Sequence, residues 1–182
     1  MGALASTQRH LFHVVLHEPE IPNNTGNVGR TCVATGCALH LIKPLGFDTG
    51  EKECRRAGLD YWPRLGVREH DSWNEFLAAP PAEGALAVDR RLWLFTTKSR
   101  RHVFEADFQP GDVMVFGKET SGLPPEILDQ YPGQTLRFPM MPGERSLNLA
   151  TAVCAAVYEG VRQLHQKGFV RIDENGAIQS GV

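Results

Sequence analysis

The sequence predicts an α/β fold with a mostly parallel sheet flanked by helices. Three observations lead there. Leu92-Trp93-Leu94-Phe95 and Val113-Met114-Val115-Phe116 are short runs, apolar throughout, the pattern of strands buried on both faces of a parallel sheet. Helical stretches fall between the apolar runs, as parallel strands with crossover connections require. No internal repeat or low-complexity tract offers another architecture, and 182 residues fill one domain. In such a fold the ligand site lies at the carboxyl ends of the strands.

Taken in order, an apolar strand runs from about Leu11 to Leu16, and Pro19 and Pro22 break it. Asn23-Asn24-Thr25 offers caps for a helix that runs to about Thr35 and stops at Gly36. Ala38 to Ile42 is the second strand, closed by Pro44. Glu51 to Arg56 reads as a short charged helix stopped near Gly58, and a third strand sits near Val67. Ser72-Trp73-Asn74-Glu75 fits a capping box, in which Ser72 and Glu75 satisfy each other's backbone donors. Pro80-Pro81 ends that helix, and Ala82 to Asp89 reads as a surface insertion. After the two apolar strands, Pro124-Pro125 opens a helix to about Gln130, and Thr135 to Phe138 is a last strand. The final helix has the strongest periodicity. Leu147, Ala150, Val153, Cys154, Val157, Tyr158, Val161 and Leu164 keep a three-four spacing, which puts one stripe against a core. On a second face Ala152, Ala156 and Gly160 recur every four residues and admit another backbone or helix. Residues 1–10 read as a leader, 11–168 as the single domain, and 169–182 as a loose tail.

Composition narrows the function. Lys+Arg 19 against Asp+Glu 21 gives a net charge of −2, so a nucleic-acid partner would need a local basic patch and not a global positive field. No apolar run approaches the roughly 18 residues of a membrane helix, and the opening MGALASTQRH carries no signal-peptide pattern; the expected compartment is the cytoplasm. Cys32, Cys37, Cys54 and Cys154 form no C-x-x-C pair, so buried thiols are expected and not a zinc site or disulfides. His13 and His17 share a strand face without a third ligand nearby and read as packed or surface histidines; no metal is expected. Three familiar motifs fail on spacing. Gly26-Asn27-Val28-Gly29 is not G-x-G-x-x-G, Gly111 lies one residue too far from Gly117-Lys118 for a P-loop, and no G-x-S-x-G surrounds Ser121 or Ser146.

Three polar, glycine-containing segments remain, each following an apolar strand: Asn24-Thr25-Gly26-Asn27-Val28-Gly29-Arg30, then Phe116-Gly117-Lys118-Glu119-Thr120-Ser121-Gly122-Leu123, then Pro139-Met140-Met141-Pro142-Gly143-Glu144-Arg145-Ser146-Leu147-Asn148-Leu149. This trio resembles the SPOUT class of RNA methyltransferases, in the branch that methylates ribose 2′-hydroxyls, from about Leu11 to Leu164. The short single-domain form is similar to those members that act on the tRNA wobble nucleotide, cytidine or uridine 34. The resemblance implies a C-terminal deep trefoil knot, a rare exception among folds. It also implies a homodimer with the site near its interface, a contact that the small-residue face of the final helix suits.

The resemblance implies S-adenosylmethionine as methyl donor, in a pocket formed by Phe95, Thr96, Gly117, Glu119, Phe138, Met140, Ser146 and Leu147. The residue types suit it: glycine lets a backbone approach an adenosine, and the apolar side chains supply walls. Arg30 is given a direct role at the ribose hydroxyl, with Asn24, Glu119, Ser146 and Asn148 holding substrate and neighbouring groups. An arginine, with a pKa above about 12, is a poor general base, so Arg30 is read as binding the developing alkoxide or an adjacent phosphate. Arg90, Arg91, Lys98, Arg100 and Arg101 form a run without an intervening acid, and Arg55, Arg56, Arg64 and Arg68 add a second basic zone. Of these, Arg55, Arg56, Lys98, Arg100 and Arg101 are expected to contact tRNA, with Tyr158 in the final helix. Methylation of another tRNA position or of rRNA, and a non-catalytic knotted RNA-binding module, are the alternative readings.

Overall fold

The computed structural model of the chain describes residues 10–47, 62–79 and 91–180. Its elements are β1 (His13–His17), α1 (Pro22–Thr35), β2 (Ala38–Ile42), α2 (Trp62–Leu65), β3 (Arg68–His70), α3 (Trp73–Ala78) and β4 (Leu92–Phe95). They continue with a 3-10 turn (Val103–Glu105), β5 (Val113–Phe116), α4 (Pro125–Leu128), β6 (Thr135–Leu136), α5 (Leu149–Gln166), β7 (Val170–Ile172) and β8 (Ile178–Ser180). Six strands form one sheet in the order β3-β2-β1-β5-β4-β6, and every pairing in it is parallel. The expected helix at Glu51 to Arg56, Cys54, the Pro80-Pro81 stop and the Ala82 to Asp89 insertion lie outside the described residues.

The apolar runs behave as their composition requires. All residues of β1, β2, β4 and β5 are buried. One side chain set, Val14, Leu16, Leu39, Leu41, Trp93, Phe95, Met114 and Phe116, packs with Val28 and Cys32 of α1 and Val153 and Val157 of α5. The alternate set, Val15, Ile42, Leu94 and Val115, meets Trp73, Phe76 and Ile127 on the other face. Each such side chain removed from water contributes about 1.5–3 kcal/mol.

Several boundaries and faces differ from expectation. The N-cap of α1 is Ile21, which has no capping side chain, and Asn23-Asn24-Thr25 falls inside the helix, with Asn24 and Thr25 buried. The C-terminal stop is as expected: Gly36 takes φ 70 in the left-handed region. At α3, Ser72 Oγ accepts from the Glu75 N–H at 3.1 Å, but the Glu75 carboxylate reaches the Asp71 N–H and not that of Ser72. The last strand ends at Leu136 and α4 at Leu128, each two residues short of expectation.

Helix α5 requires the largest correction. Leu147 precedes it and Tyr158 is half exposed, while its buried face is Leu149, Val153, Ala156, Val157, Gly160, Val161 and Leu164. The small-residue stripe is occupied from within the chain: a Cβ on Gly160 would stand 2.6 Å from Cζ of the buried Phe12 ring. Ala156 and Gly160 thus let α5 settle onto its own sheet, while Ala152 borders the cavity described below. The segment read as a loose tail carries the antiparallel hairpin β7–β8, with Val170 buried. Its turn is built on Asp173, whose carboxylate accepts from the Asn175 and Ala177 N–H groups at 2.9 Å each.

Candidate active site

The strand order sets β4, β5 and β6 near one another, and a cavity of about 620 Å³ opens past their carboxyl ends. Its apolar wall is aromatic. The rings of Phe95, last in β4, and Phe116, last in β5, stack at 4.4 Å and 9°, and Phe138 stacks on Phe95 at 5.6 Å and 23°. Thr96, Met140, Leu147 and Ser146 also line it, with Gly117 and Glu119. All eight residues expected to hold a cofactor therefore border one cavity.

Gly117 owes its smallness to a different contact from the one expected. A Cβ there would collide with the backbone of Gly122 and Leu123, because the chain folds back on itself, with the Gly122 N–H donating to the Lys118 carbonyl at 2.9 Å. The close approach that Gly117 permits is by its own loop.

The three polar segments meet through side-chain hydrogen bonds. Asn148 caps α5, its Oδ1 accepting from the Ala150 and Thr151 N–H groups at 3.0 and 3.3 Å. Its Nδ2 donates to Asn24 Oδ1 at 2.9 Å, and Asn24 Nδ2 donates to Glu119 Oε1 at 2.9 Å. The Glu119 carboxylate also accepts from the N–H groups of Glu20 at 2.9 Å and Ile21 at 3.3 Å. Glu119 thus anchors, from the far side of the sequence, the two residues that lead into α1, and sets a negative charge where a helix N-terminus favours one, while the Ile21 carbonyl accepts from the Asn24 and Thr25 N–H groups at 3.1 and 3.3 Å. A carboxylate accepting three donors is committed to position, which makes Glu119 a holding group.

Other expected residues are dispersed. Arg30 is exposed on α1 and is not on the cavity wall; it lies nine residues, roughly 13 Å of helix rise, beyond Ile21. Lys98 lies on the cavity rim, and Arg100 is exposed beside it. Arg101 and Arg91 turn inward: their guanidinium carbons sit 5.1 and 5.4 Å from the centroid of the Trp93 ring, and they donate to the carbonyls of Glu105 and Asp107. The Trp93 indole N–H donates to Asp112 at 2.7 Å, and burial pushes that carboxyl above its ordinary range. The basic run therefore contributes Lys98 and Arg100 to the outer surface, while Arg101 is spent on packing. Tyr158 is exposed away from the cavity; Arg55 and Arg56 lie outside the described residues. Arg137 and Arg145, which sequence reasoning passed over, border the cavity, and Arg145 stands directly before Ser146 in the third polar segment.

Two cysteines and three histidines are packed into the interior. Cys32 and Cys37 are buried, and burial pushes the Cys37 thiol up to about 11. His13, His40 and His70 form a buried row across three strands, at 3.1 and 3.0 Å between ring nitrogens. Among the described residues no histidine, cysteine and carboxylate group could hold a metal, and no helix is long and apolar enough to cross a membrane.

The SpoU rRNA Methylase family signature matches residues 11–158. A tRNA (cytidine(34)-2′-O)-methyltransferase of Burkholderia pseudomallei is 47% identical over 159 residues, 87% of this chain and 99% of that protein. A solved structure described by the 2-OH methylation of C/U34 on tRNA is 48% identical, with a TM-score of 0.76, covering 86% of this chain and 98% of that one. The SpoU methyltransferase AviRb from Streptomyces viridochromogenes, in complex with the cofactor AdoMet, is 26% identical with a TM-score of 0.72, covering 90% of this chain and 63% of that one.

Proposed function

The chain belongs to the SpoU rRNA Methylase family, and from that premise we propose that it methylates the ribose 2′-hydroxyl of the tRNA wobble nucleotide, C or U34, with S-adenosylmethionine as donor. The observation that carries this reading is the convergence of three sequence-distant polar segments, through Asn148, Asn24 and Glu119, on one aromatic-walled cavity. The cavity suits the donor: its volume is in the range of cofactor sites, the stacked phenylalanines offer a flat apolar surface for an adenine, and the surrounding loops carry backbone and hydroxyl partners. When bound, the donor supplies a methyl group already made electrophilic by its sulfonium.

The chain's own groups then orient the reaction. Phe95, Thr96, Gly117, Phe138, Met140, Ser146 and Leu147 form the donor pocket, and Glu119 holds the loop that closes it. Asn24 and Asn148 fix the start of α1 and of α5 beside the acceptor. Arg30 stabilises the oxygen of the ribose as its proton leaves, or grips the adjacent phosphate. Since Arg30 is exposed and off the cavity wall, a homodimer whose interface borders the cavity mouth is the arrangement that brings it to a bound ribose. A trefoil knot belongs to the same reading. Its support is the chain after β6, where Arg137 exchanges backbone hydrogen bonds with Arg101 and Val103 before returning to α5. The protein acts in the cytoplasm, where its tRNA substrate is.

The test is to incubate the protein with S-adenosylmethionine and unmodified tRNA and to map the product by mass spectrometry. A methyl group on ribose 34 is expected. Methylation at another nucleotide, or none, overturns the reading.

Lys98 and Arg100 supply a second measurable outcome. Replacing both by alanine is expected to weaken tRNA binding and to reduce the slope of log affinity against log salt by roughly 0.7 for each phosphate that is no longer neutralised. Turnover at saturating tRNA should recover, because charge-based docking acts on KM more than on kcat.

A further inference from the structure

We propose that Glu20 and Thr120 are positioning residues for methyl transfer, a role that rests on the methyltransferase reading above. The loop after β1 and the loop after β5 are joined by a reciprocal clasp. The Glu20 N–H donates to the Glu119 carboxylate at 2.9 Å, and the Glu20 carboxylate accepts from the Thr120 N–H and hydroxyl, both at 3.1 Å. Nearer the strand end of each loop, Lys118 Nζ meets Glu18 Oε2 at 2.8 Å. Glu18 itself takes φ 52, a left-handed conformation uncommon for a residue with a side chain, so the chain turns sharply there.

The clasp has a mechanical meaning. Helix α1 leaves the sheet through Glu18 to Ile21 and carries both Asn24 and Arg30, whereas Lys118 to Thr120 forms a wall of the cavity. Glu119 alone fixes the start of α1 but leaves the cavity loop able to shift as a unit with it. The return bond from Glu20 to Thr120 makes the two loops a closed pair, so the direction of α1 is set relative to the donor pocket. A tilt of α1 at its start moves Asn24 at the cavity wall and is magnified over the roughly 13 Å to Arg30, which reaches the ribose through the proposed homodimer, and displacements of about 1 Å at a reacting centre cost on the order of 10²-fold in rate. Glu20 touches neither cavity nor substrate by this geometry; it works through Arg30 and Asn24.

The experiment compares Glu20→Ala, Glu20→Gln and Thr120→Val with the wild type, measuring kcat and KM for tRNA, cofactor affinity by calorimetry and thermal stability. Glu20→Ala is expected to lower kcat about tenfold or more with KM and cofactor affinity within about twofold, since positioning is lost and binding is kept. Glu20→Gln, whose amide oxygen still accepts from the Thr120 N–H, should restore most of kcat, and Thr120→Val, which removes the hydroxyl bond alone, should fall between. If Glu20→Ala and Thr120→Val keep wild-type kcat, or if kcat follows the loss of stability equally in Glu20→Ala and Glu20→Gln, the clasp is structural only and the proposal is overturned. A wild type that does not methylate tRNA overturns instead the reading on which it rests.

Discussion

Arg30→Ala is expected to lower methyl transfer at saturating tRNA and donor by roughly 10²–10³-fold, the usual loss when one charge-stabilising donor is removed from a developing oxyanion. Cofactor affinity should stay within about twofold, because Arg30 is off the cavity wall and an interaction made only in the transition state leaves ground-state binding alone. Arg30→Lys should recover little: an ammonium keeps the charge but loses the planar fork that grips a phosphate or an alkoxide with paired donors. Single-turnover rates with preformed enzyme–tRNA complex are the measurement. A normal rate for Arg30→Ala would move this residue from the reaction to the docking surface.

Gly117→Ala should act on the donor. Its new methyl group would enter the backbone of Gly122 and Leu123, so the loop from Lys118 to Gly122 must move. Overpacking of this kind costs about 1–3 kcal/mol, which, drawn from the loop that walls the cavity, corresponds to a weakening of donor binding by roughly 5- to 150-fold. Gly133→Ala is the control, since a Cβ there meets nothing within 4 Å. Calorimetric titration with S-adenosylmethionine separates the two. Equal affinities in wild type and Gly117→Ala would remove this loop from the pocket.

Much of the fold is legible in the sequence because its strands are locally unambiguous. Runs such as Leu92–Phe95 and Val113–Phe116 have no polar face, so only burial on both sides accommodates them, and Gly36 stops α1 by a conformation it adopts without cost. The site is legible as a set of segments and not as contacts. Nothing near Ile21 announces that Glu119 will anchor the entry to α1, for the two are brought together only by the order of strands β1 and β5. Likewise Arg91 and Arg101 read as surface charge until the sheet sets Trp93 between them. The final helix misleads because small residues at four-residue spacing admit any close neighbour, and the neighbour is Phe12. The terminal hairpin does leave a signal. Asn175-Gly176 separates two short runs of β-formers, a turn pattern that outweighs the nearness of the C-terminus.

The distant anchor at the entry to α1 also bears on how the protein acquires structure. Glu20 and Ile21, which lead into the helix, give their N–H groups to Glu119, 99 and 98 residues away. Those two bonds cannot form until the chain has passed β5, and closing so long a loop is among the slower events of folding. The tie between the loop after β1 and the wall of the cavity, and with it the setting of Asn24, therefore requires the chain to be complete at least through Glu119.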